Sequence, residues 1–246
     1  MALKASPNDQ AKLLELQALD TRIQQLDHRA KMLPQLAKIA GLESESTALR
    51  VETISATGVL EDTKTELGRI ESDVAVVEAR ITRDTDRLQV STSVKDVAGL
   101  ESELAGLTRR RMELEDLELG VMERVEALET ASRELRTKHD GVQEMIAGVV
   151  AEKNEALGVI TSERTDSAAD RSMIASRLPE DLLALYERQR ARYGQGASML
   201  RGGVSEASGL KFNEFDMAAI RSAAPDDVVI CPESSAILVR TGESGL

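Results

Sequence analysis

Few side chains in this sequence are equipped for covalent, acid–base or metal chemistry, and they lie far apart. Cys231 is the single cysteine, set in a tight turn Cys231-Pro232-Glu233-Ser234-Ser235, and His28 and His139 are the two histidines. One thiol excludes an internal disulfide. No basic residue adjoins Cys231 to bring its pKa into the nucleophilic range, so a remnant thiol held in a turn is the expected reading, with a redox or metal-linked thiol as the sharper alternative. Two histidines in long helical segments and a cysteine in the tail cannot be assembled into a Ser/His/Asp or Cys/His constellation, so no enzyme is expected. Gly194-Gln195-Gly196 and Arg201-Gly202-Gly203 lack the Lys-Ser/Thr of a phosphate loop and read as linkers. What remains is one basic–aromatic cluster, Arg188, Arg190 and Arg192 with Arg201 nearby and Tyr186 and Tyr193 beside them. Cations for phosphates and rings for bases make RNA contact one reading, and a partner protein another. A solvated helix face is the plain alternative.

The elements that would position these residues follow from composition and spacing. All four aromatic residues, Tyr186, Tyr193, Phe212 and Phe215, fall in the last quarter of the 246-residue chain. A thick globular interior in the first 185 residues would use several, because aromatics bury the most apolar area per residue. With 30% charged residues, the composition suits a two-helix seam. The five prolines leave residues 35–178 free of the strongest helix breaker.

Apolar residues recur at 3–4 spacing. One row is Leu49, Thr53, Ala56, Leu60, Thr63, Leu67, Ile70, Val74, Val77, Ile81, Asp84, Leu88. It resumes at Val97, Leu100, Leu104, Leu107, Arg111, Leu114, Glu118, Val121, Val125, Leu128, Ser132, Leu135, His139, Val142, Ile146, Val149, Lys153, Ala156 and Ile160, and an earlier stretch runs Leu16, Leu19, Ile23, Leu26, Ala30, Leu33. A sustained seven-residue repeat predicts a left-handed coiled coil. Between the long rows, Ser93 and Asp96 form the pattern of a capping box, so a turn near 90–96 should fold the helices back antiparallel. Facing residue numbers should then sum to about 185, which places Thr53 opposite Ser132 as a polar, register-fixing layer. Pro34 is expected to kink the first arm. His139, Arg111 and Glu118 on the seam read as tolerated polar residues, with a pH switch or a partner groove as the sharper alternatives. Nine glycines inside these helices, each costing about 1 kcal/mol against alanine, predict a bendable coil.

The fold expected is therefore all-α for most of the chain. Residues 1–178 form the long antiparallel coiled-coil hairpin, and residues 179–246 a short helix plus a small α+β module. The helix runs from Glu180 to about Arg192, burying Leu182, Leu183, Leu185 and Tyr186. A short helix near Asn213–Arg221 and strands at Val228–Ile230 and Ala236–Val239 follow. Net charge is −12, and neither part is basic: 24 basic and 33 acidic residues up to Leu178, then 7 and 10. That balance argues against non-specific nucleic-acid binding. The opening MALKASPNDQ carries no apolar signal core and no stretch approaches a membrane span, so a cytoplasmic location without membrane partner is expected.

Three segments, LLELQALDTRIQQLDHRAKMLPQLAKI, LPEDLLALYERQR and VVICPESSAILVRTGESGL, resemble the bacterial coiled-coil hairpin proteins that end in a four-cysteine zinc ribbon. The resemblance covers nearly the whole length. It implies two C-x-x-C knuckles holding one zinc ion, and these fall here on Ser205-Glu206-Ala207-Ser208 and Cys231-Pro232-Glu233-Ser234. Ser205, Ser208 and Ser234 stand at three of the four ligand positions, beside Cys231. A structural zinc site needs four good donors, and a serine hydroxyl is not deprotonated near neutral pH. The reading is a vestigial zinc-ribbon-like module with no cofactor. Packing by Leu210, Phe212, Phe215, Ile220, Val229, Ile237 and Val239 is expected to replace the ion, docked on the 180–192 helix. The resemblance further implies a protein-interaction scaffold, as relatives in flagellated bacteria look like chaperones or adaptors for transcription and flagellar factors. An RNA-binding regulator, and a self-assembling homo-oligomeric coil serving cell division or the envelope, are the alternatives.

Overall fold

The computed structural model describes residues 3–246 and divides into two compact units: the described residues up to Pro34 together with Glu152–Leu246, and Gln35–Ala151. Helix α1 spans Pro7–Lys31, α2 Pro34–Val90, α3 Val94–Ala175 and α4 Glu180–Tyr193. The chain is a long helical hairpin coiled coil with a small C-terminal strand module, as its sequence predicts.

Within Gln35–Ala151, α2 and α3 run antiparallel. None of the predicted seam positions on either helix is exposed, and Leu60, Leu100, Leu114, Val121, Val142 and Val149 are fully buried. The connecting loop is three residues, 91–93, and Ser93 Oγ accepts from Asp96 N at 3.4 Å. Ser46 Oγ lies 3.3 Å from His139 Nε2, the pairing expected of facing numbers that sum to about 185. Lys64–Glu129 at 2.8 Å, Arg124–Glu66 at 2.9 Å and Arg80–Glu103 cross between the helices. The expected Thr53–Ser132 layer does not form a hydrogen bond. Thr53 Oγ1 turns back to Leu49 O at 2.7 Å, and Ser132 Oγ is buried without a partner among the described residues. The helix's own carbonyl is always within reach of a threonine hydroxyl, and it wins. The cross-helix polar pin is instead Ser46, which contacts His139 and accepts from Gln143 Nε2 at 2.6 Å.

In the second unit the expected kink at Pro34 is a complete break. Met32 caps the end of α1, and Pro34 opens α2 as its first residue, where a missing N–H costs nothing. α1 starts at its own proline, Pro7, with Ser6 Oγ accepting from Asp9 N at 3.1 Å. One face of α1 packs on the end of α3 through Leu26, Leu33 and Ile160. A second face, Leu13 and Leu16, belongs to the core of the strand module. Leu178, where the sequence reading divides the chain, is buried in that same core beside Leu182 and Tyr186.

The module holds β1 (Ala197–Arg201), β2 (Val204–Ser205), α5 (Glu214–Ser222), β3 (Val229–Ile230) and β4 (Ile237–Arg240). The sheet order is β2-β1-β4-β3, with β1 and β4 parallel and the outer pairs antiparallel. Alternation along β4 separates two cores: Ile237 and Val239 face α1 and α4, while Leu238 joins Leu200, Phe212, Met217, Ile220 and Cys231 under α5. Two of the expected packing residues are not in either core, since Leu210 is 54% and Phe215 83% exposed. Asn213 caps α5 and the helix turns Met217 and Ile220 inward, which leaves Phe215 on the opposite face. The two glycine stretches are not linkers. Gly194 closes α4 in the left-handed conformation at φ 86°, Gly202-Gly203 turns the β1–β2 hairpin with φ 54° and 78°, and Gly196 abuts the Tyr186 ring.

Candidate functional site

Buried polar side chains from three segments of the module meet around Cys231. Ser205 and Cys231 are fully buried, with Cys231 Sγ 3.7 Å from Ser205 Oγ. Ser198, on β1, adds a third group: its Oγ lies 3.3 Å from Ser205 Oγ and accepts from Ala207 N at 2.8 Å. Ser234 N donates to Cys231 Sγ at 3.4 Å. Burial pushes the Cys231 thiol up, and the hydrogen bonds from Ser234, Ser205 and the Glu233 amide outweigh it, leaving the thiol below its ordinary value. Uncharged donors thus supply the depression that sequence neighbours did not suggest.

Among the described residues Ser208 makes no hydrogen bond to this cluster, whereas Ser234 bonds to Cys231 through both backbone and side chain. Ser208 Oγ accepts from Leu210 N at 3.3 Å and Ser234 Oγ from Ala236 N at 3.4 Å. One thiol and three hydroxyls at the four knuckle positions are not the donors a structural zinc ion needs. The donor set present does not fit the ion.

The arginine cluster is dispersed by its partners. Tyr186 is fully buried and donates to Asp20 Oδ2 at 2.7 Å, so its ring offers no base a stacking face. Arg190 Nη1 donates to Asp20 Oδ1 at 3.0 Å and its Nε to Glu187 at 3.1 Å. Arg171 Nε donates to Asp20 Oδ1 at 2.7 Å and also meets Glu187. Asp20 holds the Arg171 guanidinium above its ordinary pKa, and burial, then the Asp20 contact, pushes the Tyr186 phenol up. Arg201 pairs with Glu243 at 2.9 Å and lies 3.6 Å from Glu206. Arg192 sits over the Tyr193 ring at 5.3 Å. Arg188 carries no ion pair among the described residues.

Sequence reasoning missed Asp20, Gln17 and Arg240. Gln17 Oε1 accepts from Gly196 N at 2.7 Å and Ala197 N at 3.3 Å, fixing the start of β1 against α1. The guanidinium of Arg240 donates to the carbonyls of Ala223, Ala224 and Asp227 at 2.6 to 2.8 Å, which holds the turn after α5. Between α1 and β1 lies a groove of about 690 Å³ whose walls include Leu14, Ala18, Gln25, Met199 and Glu206.

On α3 of the other unit, Met112, Leu117, Leu119 and Met122 stand 57%, 55%, 60% and 47% exposed. A depression of about 350 Å³ there is lined by Leu67, Leu119, Met122, Glu123, Glu126 and Glu129.

Such a long helical hairpin defines a coiled-coil hairpin protein. The family profile described as the CT398-like coiled coil hairpin domain matches residues 16–194, and the chain belongs to that family. The match ends before Ser205 and Cys231. An uncharacterized protein of Mycobacterium tuberculosis is 35% identical over 97% of this chain and 98% of its own length, and one from Mycobacterium leprae 27% identical over 89% and 95%. A structure from Mycobacterium smegmatis superposes with TM-score 0.88 at 31% identity, covering 97% of this chain and all of that one. CT398 from Chlamydia trachomatis shares the fold at TM-score 0.67 and 16% identity, covering 95% of this chain and 98% of its own. No helix among the described residues is long and apolar enough to cross a membrane.

Proposed function

We propose that the chain is a non-enzymatic, cytoplasmic protein-interaction scaffold, an adaptor or chaperone-like holder, whose C-terminal module is a degenerate ribbon that folds without zinc. The observation that carries this reading is the set of exposed apolar side chains away from the seam on α2 and α3: Val51, Ile54, Val59, Val76, Leu117, Leu119 and Met122. Exposed apolar rows rimmed by charge favour protein contact. Against an RNA role stand the pairing of Arg190 and Arg201 and the burial of Tyr186, and the acidic balance weakens phosphate attraction.

The test is affinity capture with the full chain from its native cytoplasm, with a nuclease-treated lane, followed by reconstitution of any captured protein from purified components. A nuclease-resistant protein that rebinds in purified form supports the scaffold. Material that vanishes with nuclease, and whose binding falls in Arg188→Ala/Arg192→Ala, moves the RNA reading to first place. Capture of the chain's own copies alone favours a self-assembling coil.

A further inference from the structure

Along α3, Met112, Glu115, Leu119, Met122, Glu126 and Glu129 repeat at 3–4 spacing, one step around the helix from the seam. This is the periodicity by which one helix receives another, yet no element among the described residues covers it: Met112, Leu119 and Met122 are each about half exposed or more. Between Met112 and Glu129 the sequence has seven carboxylates and one arginine, a net of −6 in a chain of −12. Glu129 is engaged by Lys64 and Glu115 by Arg111. Glu123 and Glu126, at the edge of the depression over Leu119, Met122 and Leu67, have no ion-pair partner among the described residues. Three exposed apolar side chains, Met112, Leu119 and Met122, interleaved and bordered with carboxylates of which Glu123 and Glu126 are unpaired among the described residues, fit an apolar helix face flanked by lysine or arginine, and methionine adapts its shape to varied side chains.

We propose that this face of α3 docks a basic amphipathic α-helix of a partner protein. The assignment rests on the scaffold reading and names the chemistry of what is held.

The probe is a labelled peptide of about 18 residues, leucines at helical spacing and lysines elsewhere, with a scrambled peptide of equal charge, titrated against the full chain by fluorescence anisotropy. The patterned peptide should bind at least about tenfold more tightly than the scrambled one and lose affinity as salt rises from about 0.05 to 0.5 M. Leu119→Glu/Met122→Glu adds negative charge while removing the apolar row, so it should weaken binding about tenfold or more. A merely electrostatic surface would bind more tightly in that variant, and that result overturns the proposal, as does equal affinity for the scrambled peptide. Glu123→Lys/Glu126→Lys should weaken binding and flatten the salt dependence. Both pairs are exposed or half-exposed, and circular dichroism verifies that each variant keeps its helix. A purified native partner that binds the Leu119→Glu/Met122→Glu variant as well as the parent removes this site and leaves the scaffold reading standing. Native material held only through nucleic acid removes the scaffold reading.

Discussion

Asp20 receives four donors from three side chains on other helices, Arg171, Arg190 and Tyr186, while being nearly inaccessible to water. Removing one member of a buried charged network leaves the others desolvated and unpaired. Asp20→Ala should therefore lower unfolding free energy by about 2–4 kcal/mol, the lower end reflecting the partial water access of both guanidinium groups; urea denaturation measures it. Tyr186 gives this network a pH dependence. Its folded pKa is raised above the ordinary 10.0, so the native state keeps a proton that the unfolded chain releases. Stability is then fully present below pH 10 and falls as pH climbs beyond it. Melting temperature should drop above that point in the parent, and Tyr186→Phe should remove that part of the drop. Gly196 is bound to the same ring. A Cβ there would meet Tyr186 ring carbons at 2.5 Å and its carbonyl oxygen at 2.7 Å. Gly196→Ala should cost about 1–3 kcal/mol, whereas Gly141→Ala, with open space around it, should gain up to about 1 kcal/mol.

Seam and module differ in how openly their sequences declare them. The seam repeats one rule over more than a hundred residues, so polar exceptions such as Asp84, Arg111 and Ser132 do not hide it. Ser132 is one of the exceptions with a measurable consequence. Its hydroxyl is buried and unbonded, so Ser132→Ala should stabilise the hairpin by about 1 kcal/mol, read as a rise in melting temperature. The second face of α1 was illegible because its apolar positions are few, Leu13 and Leu16 chief among them, and Gln17 and Asp20 on it are polar residues with decisive partners more than 140 residues away. β1 escaped for another reason. Its five residues include Ser198, and its flanking glycines resemble a linker until their positive φ and the Tyr186 contact are seen. The adjacent pair Gly202-Gly203 was the available hairpin signal. For the candidate site, the knuckle serines were legible by resemblance, but Ser198 was not, since only folding brings β1 to Ser205 and Cys231.

At the scale of the whole chain, the module and α1 are one cooperative object. Leu13, Leu16, Gln17 and Asp20 are covered by α4, β1 and β4. A chain cut after Leu178 should therefore lose slow hydrogen exchange over Pro7–Lys31 and expose an apolar face, while amides of α2 and α3 between 35 and 151 stay protected. Protection throughout α1 in the cut chain would refute that dependence. Point variants, and not truncation, are thus the means of separating partner contacts from folding.

The backbone tie between Ala5 N and Asp226 O, at 2.8 Å, and that between Val228 N and Leu3 O, at 3.0 Å, join segments more than 220 residues apart. On the ribosome the second partner of each tie is made more than 220 residues after the first. At about 5–20 residues per second, the inner face of α1 waits on the order of 10–45 s for the strand that covers it. Throughout that interval Leu13 and Leu16 are apolar surface on a nascent chain, open to other neighbours until β4 covers them.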